Sequence, residues 1–126
     1  MTFQWSKLSL MRMKGVDRKL IKCATISLQE SEYDMRISWM GGLRTAEQQN
    51  AIYKSKCSQK DGYKRVSKHQ LGRGLDVTPV DKETEEKAYE HFAELMFKNW
   101  EKLGYKEKLK WGCHWKRFVD KPHWEF

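Results

Sequence analysis

Between Glu83 and Leu103 the apolar residues Tyr89, Phe92, Ala93, Met96, Trp100 and Leu103 recur at steps of three, four or seven, the spacing of one face of a helix. Gly104 follows as the stop. A helix with a single apolar stripe is marginal by itself in water and must lay that stripe on a partner surface. The rest of the chain therefore has to supply one. A second helix is predicted from Asp17 to Gln29, with Asp17 as N-cap and Val16, Leu20, Cys23, Ala24, Ser27 and Leu28 on its apolar face. Asp34 to Trp39 alternates, with Met35, Ile37 and Trp39 opposite Asp34, Arg36 and Ser38, which predicts a half-buried strand ended by Gly41-Gly42.

Thr45 opens a further helix running to Lys54, with Gln48 placed to complete a capping box. Ser55 to Gln70 is polar, basic and aperiodic, and reads as a loop. Leu75 to Val80 predicts a second strand, Leu75 and Val77 on one face and Asp76 and Thr78 on the other. The tail from Trp111 to Phe126 is aromatic, holds Pro122, and predicts short strands and turns. Without repeats or linkers, the expectation is one α+β domain over residues 1–126, helices packed on a small, mostly antiparallel sheet, with no separate wall-binding module.

The chain carries 25 Lys+Arg against 17 Asp+Glu, a formal charge of +8. That excess favours polyanions, whether nucleic acid, an anionic membrane face or the acidic polymers of a bacterial envelope, and does not choose among them. Cys23, Cys57 and Cys113 form no C-x-x-C pair and are an odd set, so reduced thiols and cytosolic synthesis are expected, with Cys23 as plain core packing. No run approaches the roughly 20 apolar residues of a membrane span. The first seven residues lack the basic start and apolar run of a secretory signal.

Of four histidines, His91 lies beside the stripe of the long helix and reads as a surface or boundary residue; His69, His114 and His123 lie in Gly- and Pro-marked segments, where functional side chains concentrate. Ser67-Lys-His-Gln-Leu-Gly-Arg-Gly-Leu-Asp76 puts an imidazole in a loop and a carboxylate on the next strand, with Gly72 and Gly74 allowing a tight turn between them. Asp120-Lys-Pro-His-Trp-Glu125 offers another imidazole and carboxylate beside a rigid proline. Two His and one Asp would leave a fourth zinc position open, as catalytic sites do. On spacing alone, scattered polar residues near turns explain the same pattern equally well.

Ser67-x-His69-x-x-Gly72-x-x-x-Asp76, followed by Asp120-x-Pro-His123-Trp-Glu and preceded by Gly42-Leu-Arg44-Thr-x-x-x-Gln49-x-x-Ile-Tyr53, resembles the zinc D,D-carboxypeptidase and L-alanyl-D-glutamate peptidase family, which includes vancomycin-resistance dipeptidases and phage endolysins. The resemblance covers most of the chain. It implies one zinc on His69, Asp76 and His123, Asp120 as the acid/base carboxylate, and Arg44 contacting substrate and steadying negative charge. Ser67, Gln49, His114 and Trp124 are expected as supporting or substrate-binding residues. The implied substrate is the peptidoglycan stem peptide, cut at L-alanyl-D-glutamate, with terminal D-Ala-D-Ala as the alternative. A monomeric phage or prophage enzyme is implied, waiting in the host cytoplasm for a holin, with no specific nucleic-acid partner.

The sequence departs from that pattern in two places. Phage enzymes commonly carry Trp-Gly-Gly-Asp-Trp where this chain has Trp111-Gly-Cys113-His114-Trp115, and Gly74 stands where alanine is usual. Two rival classes follow from the residues: an inactive homologue that only binds zinc or wall fragments, against which both Arg44 and Asp120 argue, and a basic nucleic-acid-binding protein using Lys106-Glu-Lys-Leu-Lys110, which lacks any recognised binding-motif spacing.

Overall fold

The computed structural model describes residues 2–115 and 119–126. Among these, four helices, α1 (Lys7–Arg12), α2 (Arg18–Glu30), α3 (Ala46–Lys54) and α4 (Glu85–Leu103), accompany four strands, β1 (Met35–Ile37), β2 (Gly74–Pro79), β3 (Lys110–Trp111) and β4 (His123–Glu125). The strands form one antiparallel sheet in the order β1-β2-β4-β3. No helix among the described residues is long and apolar enough to cross a membrane.

The long helix finds its partner surface in α2 and the sheet. Leu20, Cys23, Ala24 and Leu28 of α2 and Ala88, Phe92 and Met96 of α4 are buried with Ile37, Leu75, Val77 and Trp124 from the strands. Each large apolar side chain so buried contributes about 1.5–3 kcal/mol. The Cys23 thiol lies 3.3 Å from the Met96 carbonyl oxygen, and burial pushes its pKa up to about 12, which makes it an inert packing residue. His91 sits at the boundary, its Nε2 accepting from the Glu32 N–H at 3.1 Å.

The expected helix caps are present: Asp17 accepts from the Lys19 N–H, Thr45 and Gln48 close a reciprocal capping box, and Gly104 ends α4 at φ 73. Three features differ from the sequence expectation. Helix α1 has only six residues, too few for periodicity to show, and is held by tertiary bonds: the Ile37 N–H donates to Ser9 Oγ (3.0 Å) and Arg12 donates to the Ile37 carbonyl (3.0 Å). Strand β1 stops at Ile37, short of Trp39. The chain turns there, with the Gly41 N–H bonded to the Ser38 carbonyl and Met40 at φ 56. A Cβ on Gly42 would overlap the Arg12 carbonyl oxygen. Trp39 is thus swung out of the sheet and left 70% exposed. Finally, the predicted loop ends in a 3-10 turn, Lys68–Leu71, closed by its own capping box between Ser67 and Gln70.

Candidate metal centre and cleft

Strand alternation sends Leu75 and Val77 into the core, so Asp76 faces the opposite side. Antiparallel register then sets His123 directly across from it on β4. The third residue arrives on the 3-10 turn. Ser67 Oγ accepts the His69 N–H at 3.1 Å, and Gly72, at φ 71, closes the turn; its carbonyl accepts the Asp17 N–H at 2.7 Å. The His69 carbonyl also receives the Arg44 N–H, which ties the turn to the segment leading into α3.

The three side chains converge. His69 Nε2 lies 3.1 Å from Asp76 Oδ1 and 3.1 Å from His123 Nδ1, and His123 Nδ1 is 3.0 Å from the same oxygen. Their outward nitrogens are committed elsewhere: His69 Nδ1 faces the Gly42 carbonyl at 2.9 Å, and His123 Nε2 faces Glu125 Oε1 at 2.9 Å. Those acceptors place the ring protons on the outer nitrogens, as the second neighbours of metal-bound imidazoles do. With the ring protons there, each imidazole turns a lone pair toward the shared carboxylate oxygen, and the three groups together could hold a metal ion. The donor set, two imidazoles and one carboxylate with no fourth protein ligand among the described residues, fits a catalytic zinc.

The same groups act on one another's charges. Burial works against the Asp76 charge, but His69 and His123 hold its pKa below the usual carboxylate range. Burial also opposes the charge on His123, yet hydrogen bonds to Asp76 and Glu125 push its pKa up to about 9. Arg44 clamps the other Asp76 oxygen, Oδ2, at 3.1 Å, and also donates to the Met40 carbonyl (2.6 Å) and Gln49 Oε1 (2.9 Å). Three of its N–H groups are spent on protein; the five donors of a guanidinium leave two without a protein acceptor among the described residues. Asp120 shares the cleft, its pKa raised by burial and by the Asp76 charge. Its position depends on Gly112: the Asp120 N–H donates to the Gly112 carbonyl at 3.0 Å, and a Cβ on Gly112 would overlap the Asp120 carbonyl oxygen.

The cleft above these residues has a volume of about 420 Å³. Its lining includes Arg44, Ser67, His69, Asp76, Asp120 and His123. Gln49 lies behind Arg44, fully buried. The two remaining sequence candidates do not line it. Trp124 is 1% exposed and stacks on Trp111 at 5.5 Å. Exposed His114 stacks on Phe97 (6.0 Å) and meets the Trp111 ring edge-on. Cys113 packs against the core. The unusual pair thus belongs to an aromatic cluster beside the site. Gly74 has a local reason: a Cβ there would come within 3.2 Å of His123 Cε1 and 3.0 Å of the His69 nitrogen, so this packing is tight even for alanine.

Trp39 and Trp115 line the cleft and were not anticipated. Trp115 leans on His123 with ring centroids 5.1 Å apart, and its place in the Trp-rich tail motif was the available signal. Glu125, behind His123, was visible in sequence only as the carboxylate closing the final motif.

The fold is thus an α+β domain whose sheet presents a His-Asp-His group that could hold a metal ion, beside Asp120 in an open cleft. Comparison with known proteins sharpens this. The chain belongs to the family of phage L-alanyl-D-glutamate peptidases, which it matches over residues 1–124. A solved structure of the Serratia marcescens L-Ala D-Glu endopeptidase ChiX shares the fold with a TM-score of 0.80 at 23% identity, over 98% of this chain and 90% of that one. No curated protein sequence matches.

Proposed function

We propose that the protein is a zinc-dependent L-alanyl-D-glutamate endopeptidase that cuts peptidoglycan stem peptides. The observation that carries this reading is the convergence of three lone-pair donors, each oriented from behind, on one point of a cleft that also holds Asp120. Family membership supplies the bond. His69, Asp76 and His123 would hold one zinc, which supplies a Lewis acid for the scissile carbonyl and lowers the pKa of water from about 15.7 to about 7.

The chain's own residues do the rest. Asp120 takes the proton of the attacking water and returns it to the departing amine, and its raised pKa suits a group that must do both. The two uncommitted N–H groups of Arg44 donate to the carbonyl oxygen as it gains charge, a contribution typically worth on the order of 10²–10³ in rate. Ser67 holds His69 in place through the turn. The phage assignment of the family supports action as an endolysin, with passage to the wall provided by a holin. Mass spectrometry of digested peptidoglycan tests the proposal: new L-alanine carboxyl ends are expected, and release of terminal D-alanine in their place overturns the bond assignment.

A further inference from the structure

We infer that Gln49 is a positioning residue that ties the rim loop of the cleft to the metal-ligand set through Arg44. This inference rests on the zinc-peptidase reading above. Gln49 is the one residue of α3 that is buried, at 0% exposure. Burying a primary amide costs about 1–3 kcal/mol unless its hydrogen bonds are made, and here they are. Oε1 accepts from Arg44 at 2.9 Å, while Nε2 donates to Ser58 Oγ and to the Lys60 carbonyl, both at 2.9 Å. The amide fits one way round only, since reversal would set N–H against the guanidinium N–H.

The loop is shaped to meet it. Gly62, at φ 91, passes so close to α3 that a Cβ would lie 2.7 Å from the Ala46 carbonyl oxygen and 3.1 Å from Gln49 Cβ. On the other side, the same guanidinium that Gln49 holds grips Asp76 Oδ2, leaving Oδ1 to face His69 and His123. One side chain therefore fixes both the posture of Ser58–Lys60, which line the cleft, and the choice of Asp76 oxygen offered to the metal. A leucine would fill the space without making either link.

The two ends can be separated by substitution in the full chain. Gln49→Met removes both links at similar volume; Gln49→Glu still accepts from Arg44 but no longer donates to the loop. By chelator competition, Gln49→Met should bind Zn²⁺ about tenfold more weakly, the lower end of losses from second-neighbour changes, whereas Gln49→Glu should bind at least as tightly as wild type. Both should raise KM on stem peptide, and both should speed limited proteolysis between residues 55 and 62. Wild-type Zn²⁺ affinity in Gln49→Met overturns the Arg44 link. Unchanged KM and unchanged proteolysis in Gln49→Glu overturn the loop link, and that variant alone decides the loop link if Gln49→Met does not fold. Zn²⁺ affinity and proteolysis read out whatever the substrate, so failure of wild type to cut stem peptide counts against the function and not against this inference.

Discussion

The floor and the rim of the cleft are built by different means. On the floor, Asp76 and His123 are cross-strand partners in a backbone ladder, and each imidazole has its outer nitrogen taken. The rim from Lys54 to Lys68 is largely exposed and carries Lys54, Lys56, Lys60, Lys64, Arg65 and Lys68 against the single acid Asp61. It hangs on side chains: the Gln49 amide, Asn50 to the Asp61 carbonyl, and Asp61 Oδ1 accepting the Tyr63 and Arg65 N–H groups. The difference teaches where each task is placed. Two of the three groups that could share a metal ion sit on a ladder and the third on a capped turn, while the basic charge sits on a loop tied by side chains.

The largest effect is expected from attacking the floor. His69→Ala or His123→Ala should each lose zinc by elemental analysis and lose hydrolysis with it; full zinc retention in either would show that the substituted histidine does not hold the metal. Next comes chemistry without metal loss. Asp120→Asn should keep stoichiometric zinc and the wild-type fold yet lower kcat by about 10²–10⁴, and near-normal turnover would move the base to another group, Glu125 first.

Gly112→Ala should act on the same carboxylate indirectly. The added methyl must push the Asp120 backbone aside, costing about 1–3 kcal/mol of stability, and should lower kcat less than Asp120→Asn does while leaving zinc in place. A thermal melt and a zinc assay together would expose a simple folding defect. The smallest effects belong to the aromatic flank. Cys113→Ser and His114→Ala should keep zinc and most activity, with His114→Ala changing stability by no more than about 0.5 kcal/mol, as exposed positions usually do. Loss of turnover in His114→Ala with zinc retained would bring the flank into the floor and erase the distinction.

The floor was legible through the family resemblance that its short motifs carry, since spacing alone left it open: alternation fixed the face of Asp76, whereas the Ser67-capped turn that holds His69 lay in a stretch read as loop. Helices α2 and α4 were legible from the residues themselves, being long enough for a period to emerge. Helix α1 was not, since six residues gain their stability from the strand they touch. Trp39 was misplaced because alternation carries no record of where a strand ends, and the backbone contact at Gly42 that bends the chain is with a residue thirty positions upstream. The link from Gln49 to Ser58 and Lys60 was equally invisible: nothing in a helix pattern says that its one buried residue is an amide because a loop must be held. Trp124 shows the converse, a motif neighbour of His123 that alternation sends to the core.

The contact of α1 with Ile37 has a consequence beyond local stability. Strand β1 is one of the two outer strands of the sheet, and a bare outer strand is a template on which another chain can add itself, copy after copy. Ser9 and Arg12 occupy the N–H and carbonyl of Ile37, the groups that such an incoming strand would use. The short helix thereby works as a guard against self-polymerisation.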